Sequence, residues 1–139
     1  MPQLTINRDE LIHALTFRFE MLEGGAYLDT ETGNILFTGD GADEVPENME
    51  EDPRYLWIEP IASHESYRIM EDFIATVDDP GASARLVHAI ESTKPFRRFK
   101  DALHDFPSLR EAWFAFENAA HIRFAESWCE ENGIEANWV

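Results

Sequence analysis

The organisation of this chain centres on residues 96–106, FRRFKDALHDF. Its apolar side chains recur at steps of three and four, which places them on one side of a helix. They are Phe96, Phe99, Leu103 and Phe106. The pattern predicts an amphipathic helix held in a core by its aromatic side chains. We expect Trp113 and Phe116 of the following segment to join the same core.

The same predicted helix carries the densest basic cluster of the chain, Arg97, Arg98 and Lys100. In the simpler interpretation, this cluster is a solvated helix face on which Arg98 pairs with Asp101 or Asp105. In the sharper interpretation, it is a cationic site for a phosphate or carboxylate, because arginine presents a planar fork of donors to such groups. Aromatic residues between the cations also suit RNA, although the acidity of the whole chain opposes that partner.

Length and composition indicate a single domain over residues 1–139. The chain has 139 residues, of which 44% are hydrophobic, so it can bury a core. No apolar run is long enough to cross a bilayer, and the N-terminus lacks the order of a secretion signal, so we expect a cytoplasmic protein without a membrane partner. The single cysteine, Cys129, cannot form an internal disulfide, and its place beside Trp128 predicts an inert buried thiol.

Charge is distributed unevenly along the chain, whose net charge is -17. A field of that sign repels nucleic acid and anionic membranes and favours basic partners. Six of the eleven Lys and Arg residues lie between Arg85 and Arg110, whereas seven carboxylates and no basic residue lie between Asp40 and Asp52. An acidic loop is predicted over residues 39–53, and it could face the basic cluster within one molecule or between two copies.

The predicted elements begin with a helix and continue with strands. Asn7 and Glu10 have the spacing of an N-terminal capping box, and Gly24-Gly25 is predicted to end the helix. Three short strands are predicted at residues 27–29, 35–37 and 54–59. Gly33 can supply the positive φ of a tight loop between the first two strands, and Asp29 is predicted to accept hydrogen bonds from its own turn.

Helices make up the predicted C-terminal half. Ser63 is predicted to cap the first of them, and a second runs from about Ser83 to Glu91. The central stretch forms the third, and a long helix from Pro107 is closed by Asn132-Gly133. Strands grouped before helices indicate an α+β fold with an N-terminal helix, a small three-stranded antiparallel sheet and about four helices packed together. Residues 135–139 are predicted to form a short C-terminal tail.

Motifs for cofactors and metals are not found in the sequence. It contains no G-x-x-x-x-G-K, G-x-G-x-x-G or H-E-x-x-H, and its five histidines are scattered. We therefore predict no cofactor, no metal ligand and no catalytic residue. An acid–base or hydrolase-like enzyme would need a carboxylate or histidine in a cleft, with Arg68 and Arg97 orienting an anionic substrate. The residues to inspect for that role are Glu71, Asp72, Asp101 and His104.

Several blocks of the sequence together resemble a bacterial family catalogued only as an uncharacterised protein family. These blocks are YLDTETG at residues 27–33, YRIMEDFI at 67–74, FRRFKD at 96–101, WFAF at 113–116, and Trp128 with Gly133-Ile134. The resemblance extends from about Asn7 to Ile134 and leaves the acidic loop and the tail outside its motifs. It implies a small, single-domain cytoplasmic protein and brings no activity, substrate or cofactor.

The interpretation we favour is a non-enzymatic acidic domain that binds another protein or self-associates. One alternative is a nucleic-acid or anionic-ligand site at Arg97, Arg98 and Lys100. Another is a small hydrolase-like enzyme with a carboxylate and histidine site. The candidate binding residues are Arg68, Arg97, Arg98, Lys100, Asp101 and His104.

Overall fold

A computed structural model describes residues 3–16, 25–38 and 51–139. The predicted end of the first helix at Gly24, and the acidic loop up to residue 50, lie outside these described residues. The fold is α+β, as predicted. Its elements in chain order are β1 (Gln3–Ile6), α1 (Arg8–Thr16), β2 (Ala26–Asp29), β3 (Ile35–Phe37), β4 (Tyr55–Ile58), α2 (Ser63–Ile74), α3 (Pro80–Glu91), α4 (Pro95–Leu103), α5 (Pro107–Glu131) and β5 (Glu135–Trp138).

The N-terminal helix is not the first element, because strand β1 precedes it. β1 pairs in parallel with β5, in a register that runs from Gln3 opposite Glu135 to Ile6 opposite Trp138. The segment predicted as a C-terminal tail is therefore a strand up to Trp138. Both strands have only four residues, and their pairing spans almost the whole chain, so no local pattern identifies either of them.

The predicted three-stranded antiparallel sheet is confirmed, with strand order β3-β2-β4. Tyr27 of β2 lies opposite Leu36 of β3 and Trp57 of β4. In the loop between β2 and β3, Gly33 has φ +80°, the left-handed conformation that the sequence predicts there. Its N–H donates to the carbonyl of Asp29 at 2.8 Å, which closes the turn.

The residues group into two compact units. The sheet unit comprises Met1–Ile61 with His121–Val139, and the helical unit comprises Ala62–Ala120. In the sheet unit, α1 and the strands pack against the C-terminal part of α5. The buried core of this unit includes Ile6, Leu11, Ala14, Leu28, Ile58, Ala125 and Cys129. The N-terminal cap of α1 is as predicted, since the side-chain oxygen of Asn7 accepts from the N–H of Glu10 at 3.1 Å.

The helical unit is organised around four aromatic rings. Phe73 of α2 lies 5.4 Å from Trp113 and 5.5 Å from Phe116, measured between ring centroids. Phe99 of α4 lies 4.8 Å from Trp113, in an edge-to-face arrangement. Such contacts add to the free energy gained by burying the rings. The Tyr67 hydroxyl also donates to the carbonyl of Ile90 at 2.9 Å and so connects α2 to α3.

Two helix starts differ from the prediction. Helix α2 has Ala62 at its N-cap, so Ser63 is the first helical residue and not the cap. The extended chain ends at Ala62, with ψ 150°, one residue earlier than the serine preference indicates. Helix α3 begins at Pro80, three residues before the predicted Ser83, because the Asp79 side chain accepts from the N–H of Gly81 at 3.0 Å and caps it there.

Candidate functional site

Helix α4 turns its apolar residues inward, as the sequence predicts. Phe99 and Leu103 are fully buried, at 1% and 2% exposure, and Ala102 is buried beside them. Phe106, which follows the helix, is half-buried. Phe96 departs from the expectation, because its side chain is 36% exposed at the edge of the buried face. The aromatic residues of this stretch thus serve mainly to hold the helix in place.

The three predicted cations of α4 do not point in one direction. Successive helix residues are about 100° apart around the axis, so Arg98 lies on one flank of α4, towards Ala102, and Lys100 lies on the other flank, towards Phe96. All three of Arg97, Arg98 and Lys100 are exposed, and none pairs with a carboxylate of the described residues. Arg97 lies opposite the buried face and Lys100 lies between Arg97 and Phe96, and we call these two residues the outer face of α4.

Arg98 does not form the predicted pair with Asp101 or Asp105. Its Nε donates instead to the carbonyl of Thr93 at 3.1 Å, across the turn that precedes α4. Asp105 is taken by Arg85 of α3, whose Nη2 lies 2.7 Å from the carboxylate. The pairing differs because sequence spacing considers only one helix, whereas the cation of the neighbouring helix competes for the same carboxylate.

A groove runs between α3 and α4, with a volume of about 420 Å³. We call it the α3–α4 groove. Its lining is Ala84, Arg85, His88, Ala89, Ser92, Arg98, Asp101 and Ala102. The alanines leave space that longer side chains would fill, and the polar residues stand around that space. The Ser92 hydroxyl donates to the His88 carbonyl at 2.7 Å and so closes the last turn of α3.

Arg85 is held in place on two sides of its guanidinium. Besides the contact with Asp105, the guanidinium lies 5.5 Å from the centroid of the Phe106 ring. The Arg85 and Asp105 side chains are 55% and 57% exposed, so this ion pair adds little to folding stability. Its effect is to set the direction of the Arg85 side chain.

The structure brings together only part of the predicted site. Arg98 and Asp101 line the α3–α4 groove, whereas Arg68, Arg97, Lys100 and His104 do not. Glu71 and Asp72, considered for an acid–base enzyme, are exposed on α2 and are absent from the lining of this groove. Sequence reasoning missed Arg85, His88 and Ser92. Their spacing of three and four residues was the available signal, because it places them on one face of a helix.

A second hollow of about 550 Å³ in the helical unit has an acidic lining. Its carboxylates belong to Asp78, Asp79 and Asp105. Two of these already have structural roles, since Asp79 caps α3 and Asp105 pairs with Arg85. Within residues 3–16, 25–38 and 51–139, no three His, Cys, Asp or Glu side chains are grouped so that they could hold a metal ion.

Among the described residues of the sheet unit, Asp29 and Arg54 form a charge contact with two hydrogen bonds. Arg54 donates from Nε at 2.9 Å and from Nη2 at 2.8 Å to the two oxygens of the buried Asp29 carboxylate. These bonds, with the turn N–H groups of Glu31 and Thr32, lower the pKa of Asp29 to about 2. Asp29 therefore bonds its own turn, as predicted.

Cys129 is 3% exposed in the sheet unit, and burial raises the pKa of its thiol to about 11. Because the thiolate is the nucleophilic form, this cysteine is unsuited to covalent catalysis. In the part of the chain that the structure describes, no helix is both long and apolar enough to cross a membrane.

Comparison with known proteins gives a consistent match over the whole chain. The sequence pattern of UPF0158, an uncharacterised protein family, matches residues 1–138. A UPF0158 protein of Pseudomonas aeruginosa is 34% identical over 138 residues, which cover 97% of this chain and 88% of that protein. No solved structure matches the chain. The predicted resemblance to an uncharacterised bacterial family is confirmed.

Proposed function

We propose that this chain, which belongs to the uncharacterised protein family UPF0158, is a non-enzymatic protein-interaction module that uses the outer face of α4. The observation that carries the proposal is the lack of a carboxylate partner for Arg97 and Lys100 among the described residues. Of the described basic residues, Arg54 and Arg85 pair with a carboxylate, whereas Arg97 and Lys100 are two unpaired cations close together on one helix. Cations that remain unpaired are available to an acidic surface of a partner.

The distribution of charge between the two units supports a second copy of this chain as that partner. The helical unit has seven Lys and Arg residues and ten Asp and Glu residues, a net charge of -3. The sheet unit has four Lys and Arg residues and 18 Asp and Glu residues, a net charge of -14. Both units are net negative, so the proposed attraction is local: the two cations of the outer face of α4 in one copy contact carboxylates of the sheet unit in another. Ion pairs of this kind are exposed and are weakened by salt.

Zero-length cross-linking tests this proposal directly. A carbodiimide joins a lysine amine to a carboxylate that it touches, and a mixture of ¹⁴N- and ¹⁵N-labelled protein separates links between copies from links within one. We expect Lys100 to link to carboxylates of the sheet unit in isotopically mixed pairs at low salt. Links from Lys100 that are confined to single copies, or that persist unchanged at high salt, would contradict the proposal.

Binding of a nucleic-acid backbone through Arg97, Arg98 and Lys100 is the second candidate. It is favoured by the small net charge of the helical unit and by the 36% exposure of Phe96, which leaves a ring for stacking. It is weakened by the burial of Phe99, the other aromatic residue of the cluster. Fluorescence anisotropy with a labelled single-stranded RNA tests this candidate. Binding that Arg97→Glu removes and Arg123→Glu preserves would support it.

A further inference from the structure

We propose that the α3–α4 groove binds a small phosphate ester that carries a hydroxyl group near its phosphate. The two arginines of the groove come from different helices, Arg85 from α3 and Arg98 from α4. Guanidinium groups on two sides can each direct N–H donors at a phosphate placed between them. This inference uses the groove and not the outer face of α4, so the result of its test does not decide the proposed function.

Arg98 is oriented before any ligand arrives. Its Nε donates to the Thr93 carbonyl at 3.1 Å, which leaves the two terminal nitrogens of the guanidinium to bind a ligand. The turn that presents this carbonyl is unusual, because Lys94 has φ 54° and ψ 58°, a left-handed conformation for a residue with a side chain. A side chain that is already held loses less conformational entropy when it binds.

Arg85 is oriented by different contacts. Its Nη2 lies 2.7 Å from Oδ2 of Asp105, and its guanidinium carbon lies 5.5 Å from the centroid of the Phe106 ring. The N–H groups not directed at Asp105 can donate to a phosphate oxygen. His88, one helical turn along α3, adds a ring N–H donor to the same groove.

The size of the groove suits a ligand larger than a bare phosphate. Ala89 and Ala102, both buried, lie at its base, and the volume of about 420 Å³ falls within the range of small-molecule sites. Ser92 is not expected to donate to the ligand, because its hydroxyl donates to the His88 carbonyl. The donors for the phosphate are thus Arg85, His88 and Arg98.

Asp101 determines which phosphate compound fits. Its carboxylate lines the same groove and repels a bare anion, but it accepts a hydrogen bond from a hydroxyl group. An ester with a neighbouring hydroxyl offers the phosphate to the arginines and the hydroxyl to Asp101. The groove should therefore bind the ester more tightly than inorganic phosphate. The hydrogen bond from the ester hydroxyl to the charged Asp101 carboxylate corresponds to about a tenfold difference in affinity.

Titration of ¹⁵N-labelled protein with glycerol 3-phosphate or inorganic phosphate, at constant ionic strength, tests the inference. We expect saturable amide shifts in residues 85–92 and 98–102, with glycerol 3-phosphate binding about tenfold more tightly than inorganic phosphate. Arg98→Gln should weaken glycerol 3-phosphate binding by at least about tenfold, and Arg85→Gln should act in the same direction. The matched control in the same unit, Arg110→Gln, lies outside the groove lining and should leave the affinity unchanged.

Asp101→Asn separates the two parts of the proposed recognition. It removes the negative charge, so inorganic phosphate should bind more tightly and the advantage of glycerol 3-phosphate should shrink. Amide spectra without ligand establish that each variant is folded. Shifts that do not saturate, or an equal loss of affinity in Arg98→Gln and Arg110→Gln, would overturn the inference. A preference for inorganic phosphate in the unmodified protein would overturn the role given to Asp101.

Discussion

At the scale of single residues, Gly33 meets two independent requirements. Its φ of +80° is one that side chains rarely adopt, and a Cβ added there would collide with the backbone carbonyl of Thr5. Gly33→Ala should therefore lower the free energy of unfolding by at least about 2 kcal/mol, measured by urea denaturation.

Gly81→Ala is the matched control for that substitution. A Cβ at Gly81 would lie 3.5 Å from the Asp79 carboxylate, an ordinary contact, in the first turn of α3. Alanine there should be neutral or slightly stabilising, because glycine is a weak helix former. An equal loss of stability in both variants would show that the Gly33 turn is not constrained as described.

The contact between Asp29 and Arg54 predicts how the stability of the fold depends on pH in the acid range. The pKa of Asp29 falls from its ordinary value of 3.8 to about 2 on folding, chiefly because of the hydrogen bonds from Arg54. A carboxylate with a lowered folded pKa contributes stability at pH values above its unfolded pKa and loses it as pH falls through the folded pKa. The contribution of Asp29 should thus be full above about pH 4 and disappear towards about pH 2.

Asp29→Asn tests this contribution. The variant should be less stable than the unmodified protein by about 2 kcal/mol at neutral pH, and the difference should narrow between pH 4 and pH 2. Arg54→Gln should reproduce the change in pH dependence, because it removes the main cause of the lowered pKa. A constant difference between the unmodified protein and Asp29→Asn over that range would contradict the assignment.

At the scale of elements, α4 holds one of its phenylalanines in the core and exposes another to solvent. Phe99 is 1% exposed and touches the Trp113 ring, whereas Phe96 on the same helix is 36% exposed. Phe99→Ala should cost about 3–5 kcal/mol of unfolding free energy. Phe96→Ala should cost much less, because less apolar surface is lost from the core. Similar losses in both variants would contradict the packing described for α4.

The pairing of β1 with β5 is a second element that can be tested. The N–H of Val139 donates to the Ile6 carbonyl at 3.0 Å, so by alternation the N–H of Asn137 also points towards β1. Asn137→Pro should destabilise the fold by removing that donor, whereas Asn137→Ala keeps the backbone donor and should change stability little. Equal stability of the two variants would show that the β5 ladder contributes little to the fold.

The elements differ in how well the sequence predicts them, for physical reasons. Helices α4 and α5 have long apolar periodicity and clear end residues, so their positions were predictable. Strands β1 and β5 are short and obtain their stability from a partner far away in sequence, which no local pattern reports. The candidate site was only half predictable, because the groove combines Arg98 of one helix with Arg85 of another. Spacing within one helix identifies neither the groove nor the competition of Arg85 for Asp105.

At the scale of the whole molecule, the main feature is the separation of charge. The sheet unit carries a net charge of -14 and the helical unit -3, so the total of -17 is concentrated in one of them. Aromatic side chains form the centre of the helical unit, and no carboxylate of the described residues pairs with the cations on the outer face of α4. This distribution favours interaction through the charges of the outer face of α4.

Sedimentation velocity at low and high salt tests this central claim most directly. We predict that the unmodified protein self-associates at low salt and dissociates at high salt, and that Arg97→Glu with Lys100→Glu abolishes the association. The double variant Arg110→Glu with Arg123→Glu has the same net charge and should still associate. A monomer at every salt concentration, or equal association of the two double variants, would contradict the claim that the outer face of α4 binds an acidic surface.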